Sequence, residues 1–354
     1  MKYKRNYIVA AAILLPLTVL AVFLFTSGMN IHGTSRSPQV AFALLYAVLG
    51  ALGGYFFHNF LHESLHALAA KKSGAVILEF AVAFTLFYKK NGKTRFKLNF
   101  RSGYAGWVSF VCKNPENAPK VLRASLIGGF AGTALSLVIP VAFYLAFADF
   151  VTFYLLLSAA FSAAYMLVVN YACDFPSSDG ALLFDKKGKS DQFVRTARIL
   201  KTESAAYAGA SIAKALSNDV PSENTVVYYD VVSALEQGKT KLAQSYISYL
   251  ENMPYNGDNE VIALLFEKFF IACVTGDEAV VDGLKDDFLY AEGTSPSALR
   301  AHAAYRRVTG ENEWADSLEK SFFTSLDDSE LPGYAASERE IYRRYLGKNS
   351  RAVG

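Results

Sequence analysis

His62, Glu63 and His66 are the residues whose types and spacing could do chemistry. They lie within Phe57-His58-Asn59-Phe60-Leu61-His62-Glu63-Ser64-Leu65-His66-Ala67-Leu68-Ala69-Ala70. On a helix, side chains four residues apart stack on one face, so His62 and His66 can share one zinc ion. Glu63 lies one step round, where a carboxylate can take a proton from water that a metal has activated. Catalytic zinc needs three protein ligands and an open position. His58 is one turn earlier, but it is about 12 Å from His66 along the axis at 1.5 Å per residue. That is too far for three imidazoles on one ion, so His58 reads as a supporting or helix-packing residue. Only five histidines are present, and the other two, His32 and His302, lie far from the motif. The third ligand should therefore be a carboxylate. Asp174 and Asp179 both follow a membrane span, and Gly180 lets the backbone turn the Asp179 carboxylate inward.

The elements that must position these groups are apolar. Hydrophobic residues make up 52% of the chain, with 27 Phe and 21 Tyr, an excess that points to a membrane protein. Residues 1–184 carry 15 Lys+Arg against 6 Asp+Glu, and residues 185–354 carry 20 against 26. A basic membrane half and an acidic soluble half follow, each long enough to be a domain. The near-neutral sum argues against nucleic acid as a partner. Cys112, Cys173 and Cys273 are too scattered for a disulfide framework or a cysteine zinc site.

Four spans are expected. After basic Met1–Asn6, Tyr7–Phe25 is an apolar run of nineteen, read as an uncleaved anchor. Val40–Ala70 carries the motif and closes at Lys71 and Lys72, and its Gly50, Gly53 and Gly54 invite a neighbouring helix. Val121–Phe147 and Val151–Ala172 flank a very short turn at Asp149. Between the second and third spans, Leu78–Tyr88 and the alternating Thr94–Arg101 flank an Asn91-Gly92 turn and read as a β-hairpin at the membrane surface. The basic residues Lys2, Lys4, Arg5, Lys71, Lys72, Lys120, Arg123 and Lys186–Lys189, with the hairpin, share one side, and Arg36 is alone on the other. The positive-inside rule then makes both termini cytoplasmic in the cell membrane.

From Ser190 no span occurs. Gly-polar turns at Gly238, Gly276 and Gly310 separate amphipathic helices, each with an early small residue at Ala243, Ala279 or Ala315. That period suits helix-hairpin repeats of the tetratricopeptide type. The domains expected are 1–38 (anchor and external loop), 39–185 (membrane core) and 190–354 (cytoplasmic helical repeats). The linker Ala181–Lys189 is too short to let the last of these wander far from the core, and its acidic balance complements the basic ends of the spans.

Over Val40–Phe184 the chain resembles the site-2 protease family of intramembrane zinc metalloproteases. The resemblance rests on H-E-x-x-H in a span and Gly103-Tyr104-Ala105-Gly106-Trp107-Val108. It rests also on Gly128-Gly129-Phe130-Ala131-Gly132 and on Asn170 followed by a Pro-containing segment ending in Asp179-Gly180. It implies that Asp179 is the third zinc ligand, that Glu63 is the general base and that Asn170 helps hold the substrate strand. The chain departs from the family pattern in having Phe130-Ala131-Gly132 in place of Gly-Pro, one proline before Asp179, and one extra residue between Asn170 and Asp179. The expected activity is cleavage of membrane-spanning or membrane-proximal proteins, with residues 190–354 controlling access or recruiting a partner. A non-catalytic membrane scaffold of the same fold is the alternative. A di-iron desaturase would need about eight histidines, and a zinc transporter would leave Glu63 without a task.

Overall fold

The computed structural model describes residues 15–16, 18–27, 37–90, 92–99, 106–147, 149–172, 178–183, 191–253, 258–291 and 293–347. Met1–Asn6, residues 7–14 and 17 of the run Tyr7–Phe25, His32, Arg36, Asn91, Arg101, Gly103-Tyr104-Ala105, Cys173, Asp174, Pro176 and Lys186–Lys189 lie outside the described residues. The chain divides into two compact units, Met1–Lys113 with Pro119–Phe193, and Asn114–Ala118 with Val194–Gly354.

In the first unit the helices are α1 (Thr18–Ser27), α2 (Ser37–Lys72), α3 (Ala118–Ala146), α4 (Phe150–Leu167) and α5 (Asp179–Leu183). Three segments, Gln39–Lys72, Pro115–Ala146 and Phe150–Tyr171, are long and apolar enough to cross a membrane. On α2 the exposed Leu45, Leu49, Leu52 and Phe56 recur at helical spacing, forming an apolar stripe that suits contact with lipid. Lys71 and Lys72 close the helix and complement its C-terminal dipole. α4 starts at a capping box. The Asp149 carboxylate accepts from the Thr152 N–H at 2.8 Å, and the Thr152 hydroxyl accepts from the Asp149 N–H at 3.1 Å.

Small residues set the packing. Gly50 and Gly54 lie against Leu155 and Ala159, so α2 and α4 run parallel at close approach. Gly128 and Gly132 lie against Leu65 and Leu61, so α3 runs antiparallel to α2. Gly53, expected to share in this packing, has nothing within 4 Å and takes no part.

Between α2 and α3 the chain builds a four-stranded antiparallel sheet of order β3-β2-β1-β4, with β1 (Ala75–Val82), β2 (Thr85–Lys90), β3 (Lys93–Leu98) and β4 (Gly106–Cys112). This corrects the expected single hairpin. The β2–β3 turn is where the sequence puts it, with Gly92 at φ 71° and Lys90 paired with Lys93. Leu78–Tyr88, read as one strand, instead breaks at Ala83, which adopts φ 52°, and Val82 pairs with Thr85 across a two-residue turn. Phe87 and Phe96 pack across β2 and β3 at 5.2 Å between ring centres and remain exposed, as do Phe84 and Leu98.

The second unit is helical: α6 (Asp191–Tyr207), α7 (Ile212–Ala215), α8 (Tyr228–Glu236), α9 (Thr240–Glu251), α10 (Asp258–Thr275), α11 (Glu278–Tyr290), α12 (Pro296–Val308), α13 (Asn312–Asp327) and α14 (Pro332–Tyr345). The pairs α8/α9, α10/α11 and α12/α13 each turn at a glycine of positive φ: Gly238, Gly276 and Gly310. This left-handed cap ends a helix without the strain a β-carbon would add. Ala243 and Ala315 are buried as expected of early small residues, whereas Ala279 is exposed. The core holds the stacked Phe269 and Phe288 and a fully buried ionic triad. In it, Arg300 Nη2 is 2.9 Å from both Glu267 oxygens, and Arg300 Nε is 2.8 Å from Glu338 Oε2.

Candidate metal centre

Close packing of α3 on α2 orients the histidines. His66 Nδ1 lies 3.1 Å from Ser125 Oγ. His62 Nδ1 lies 3.1 Å from the Gly129 carbonyl and 3.0 Å from Thr133 Oγ1. His58 Nδ1 lies 2.9 Å from Ser136 Oγ. The partners climb α3 as the histidines descend α2, one turn at a time, which is the register of two antiparallel helices.

Proton positions follow from these contacts. The Gly129 carbonyl can only accept, so His62 carries its proton on Nδ1. Ser125 directs its own proton to the His66 carbonyl, and Ser136 to the Thr133 carbonyl, so both hydroxyls accept from the imidazoles. Each Nε2 is then left with its lone pair, the tautomer a metal ligand requires.

His62 and His66 turn those lone pairs toward one point. Their Nε2 atoms are 3.1 Å apart, and Asp179 Oδ2 lies 3.1 Å from the first and 2.8 Å from the second. Three lone-pair atoms so close need a cation between them. Ligands 2.0–2.1 Å from a tetrahedral zinc ion lie about 3.3 Å from one another, so these three atoms already describe one face of such a site, slightly contracted. Two imidazoles and one carboxylate are also a donor set that zinc accepts. Asp179 would serve that set in its ionised form, as a ligand must.

Asp179 opens α5, and the next residue explains its placement. A β-carbon on Gly180 would fall 2.5 Å from Tyr171 Cα and 2.7 Å from the Asn170 carbonyl oxygen. Only a glycine lets α5 approach the preceding turn so closely. That turn, Val168–Ala172, is a π-helical continuation of α4, a distortion common at functional sites. Asn170 lies in it, with its carbonyl against Gly180 and its side chain half-buried. Asp174, the other carboxylate considered, is outside the described residues.

Glu63 is buried on α2, one residue beyond His62. The first residue of β4 closes over it, since a β-carbon on Gly106 would fall 2.7 Å from Glu63 Cγ. Among the described residues β4 is an outer strand of the sheet, and its outer edge begins beside the carboxylate. His58 joins neither group. It stacks on His62 with ring centres 5.5 Å apart.

Sequence reasoning passed over Ser125, Thr133, Ser136 and Tyr171, and named Gly106 only within the Gly103–Val108 motif. The spacing of Ser125, Gly129 and Thr133, four apart like the histidines, was a signal for the first two. Tyr171 carried none. Its hydroxyl lies 3.3 Å from Asp179 Oδ2.

Compared with known families, residues 56–266 match the model of peptidase family M50. That interval contains His62, Glu63, His66, Asn170 and Asp179. No curated protein matches, and no solved structure matches.

Proposed function

The chain belongs to peptidase family M50, and from that membership we propose that it is an intramembrane zinc metalloprotease that cleaves membrane-spanning or membrane-proximal proteins. The observation that carries this reading is the convergence of His62, His66 and Asp179 on one point, with Glu63 one residue away. Zinc held by the three would polarise the scissile carbonyl and make water more acidic. Glu63 takes the proton of the attacking water and returns it to the leaving amine. The Nδ1 hydrogen bonds to Ser125, Gly129 and Thr133 keep both imidazoles in the required tautomer.

A helical substrate has its carbonyls hydrogen-bonded, so it must unwind before hydrolysis. The outer edge of β4 in the described sheet offers the unwound segment an added strand, and Gly106 brings that edge against Glu63. Asn170 helps hold the same segment.

The basic residues support a four-span topology in the cell membrane with both termini cytoplasmic. Residues 190–354 control which substrate tails are cleaved or recruit a partner, a reading supported by their acidic balance. Their helical hairpins are consistent with a tetratricopeptide-like repeat.

Membrane proteomes of cells making the wild type and Glu63→Gln test the proposal. Single-span proteins that accumulate as full-length forms only with Glu63→Gln are expected. Identical proteomes would favour a non-catalytic scaffold.

A further inference from the structure

Hydrolysis of a peptide bond places negative charge on the former carbonyl oxygen, and enzymes meet it with a fixed donor. The donor must reach the region of the metal ligands without being spent elsewhere. The hydroxyls of Ser125 and Thr133 contact Nδ1 atoms, on the far side of the imidazoles from the point of convergence. Tyr171 differs. Its hydroxyl lies 3.3 Å from Asp179 Oδ2, the same oxygen that both Nε2 atoms reach. An oxygen taken up by a zinc ion held there would, like the phenol, be a neighbour of Oδ2.

The phenol is also held still. Its ring meets Phe130 edge-on with centres 5.2 Å apart, and meets His62 at 6.4 Å. Gly180 packs on its backbone, and the π-helical turn fixes where the side chain emerges. Thr133 interacts with the phenol as well as with His62 Nδ1. It can accept from the imidazole and donate to the phenol, in keeping with the phenol's own proton being directed at Asp179 Oδ2.

We propose that Tyr171 is a catalytic residue that donates a hydrogen bond to the oxygen gaining negative charge during peptide hydrolysis. In the resting site that proton rests on Asp179 Oδ2, and it moves to the stronger acceptor as charge develops. No proton is transferred, so the phenol ends the cycle unchanged. The inference rests on the protease reading.

The test is Tyr171→Phe in the full chain, which keeps the ring and its packing and removes one hydroxyl. The expected result is a fall in kcat of about 10²–10³-fold, with KM and zinc content unchanged. A phosphinic peptide, whose anionic oxygens imitate the charged state, should bind the variant weaker by a comparable factor. An intact substrate should bind Glu63→Gln and the double variant Glu63→Gln with Tyr171→Phe equally. Unchanged kcat, unchanged phosphinic peptide binding, or zinc loss in proportion to activity would each overturn the proposal, the last by reducing Tyr171 to a support for Asp179. If the wild type itself cleaves nothing, the protease reading fails, and phosphinic peptide binding still tests the hydrogen bond alone.

Discussion

Gly129 lies flat against the imidazole of His66. A β-carbon at position 129 would overlap His66 Nε2, the atom turned toward Asp179. The same residue offers its carbonyl to His62 Nδ1. Gly129→Ala should therefore displace a ligand with both histidines still in the chain, lowering zinc affinity by at least the 10–100-fold typical of lost supporting contacts. Gly53→Ala is the control, because nothing lies within 4 Å of its added methyl group. Zinc retained after dialysis against a graded chelator gives the comparison. Equal retention in the two variants would mean that α3 does not pack on the histidines as described.

The ligand set makes a sharper demand. His62→Ala, His66→Ala and Asp179→Ala should each abolish stoichiometric zinc, since two ligands rarely hold it. Glu63→Gln should keep zinc and lose cleavage. Metal analysis beside an activity assay separates the four. Zinc lost from Asp174→Ala but kept by Asp179→Ala would transfer the third ligand to the other carboxylate.

Gly106→Ala should behave like a partial loss of Glu63. Its methyl group would fall 2.7 Å from Glu63 Cγ and 3.0 Å from the Ala81 carbonyl oxygen, so either Glu63 or the strand must give. A displacement near 1 Å at a reacting group lowers rates by about 10²-fold. The expected variant keeps zinc and loses kcat. Full activity would show that the strand yields freely and that its edge does not position the carboxylate.

How much of this was legible in the sequence depends on how local the cause is. The His62–His66 pair is a matter of helical period, and the three long apolar helices Gln39–Lys72, Pro115–Ala146 and Phe150–Tyr171 are a matter of length and apolarity, so both could be read directly. The Asn91-Gly92 turn carries its own chemistry in Gly92. Ala83 does not: nothing in Ala83-Phe84 announces a left-handed backbone, so two strands read as one. Gly50 and Gly53 look alike in sequence, and only the position of Leu155 across the interface tells them apart. Tyr171 was invisible because its role depends on a carboxylate eight residues on and on a π-helical turn that residue types do not specify.

In the helical unit, Arg300 holds two buried carboxylates apart, with its guanidinium over the Phe270 ring at 4.1 Å. Arg300→Met would leave Glu267 and Glu338 facing each other without a cation. Removing one partner from a buried ionic cluster destabilises by about 3–5 kcal/mol. Replacing all three, with Arg300→Met, Glu267→Gln and Glu338→Gln together, should recover most of that loss. Denaturant melts of the full chain would show it, and a single variant as stable as the wild type would mean that water reaches the triad.

Glu203 gives the stability of this unit a dependence on pH. Burial raises its carboxyl above the ordinary value of 4.5, against the opposing hydrogen bond that it accepts from the Tyr229 hydroxyl at 2.9 Å. The folded state thus holds this proton more tightly than the unfolded chain does. The stabilising contribution is complete below the unfolded pKa and is lost as pH rises through the folded one. Above that range the ionised carboxylate weakens the fold. Glu203→Gln keeps an acceptor for Tyr229 and cannot ionise, so it should melt a few degrees above the wild type near pH 7.5. The difference should vanish near pH 4, where the wild-type side chain is also neutral. Thermal melts of both proteins across that interval decide the matter. An advantage of the same size at both ends would trace the effect to packing and not to charge.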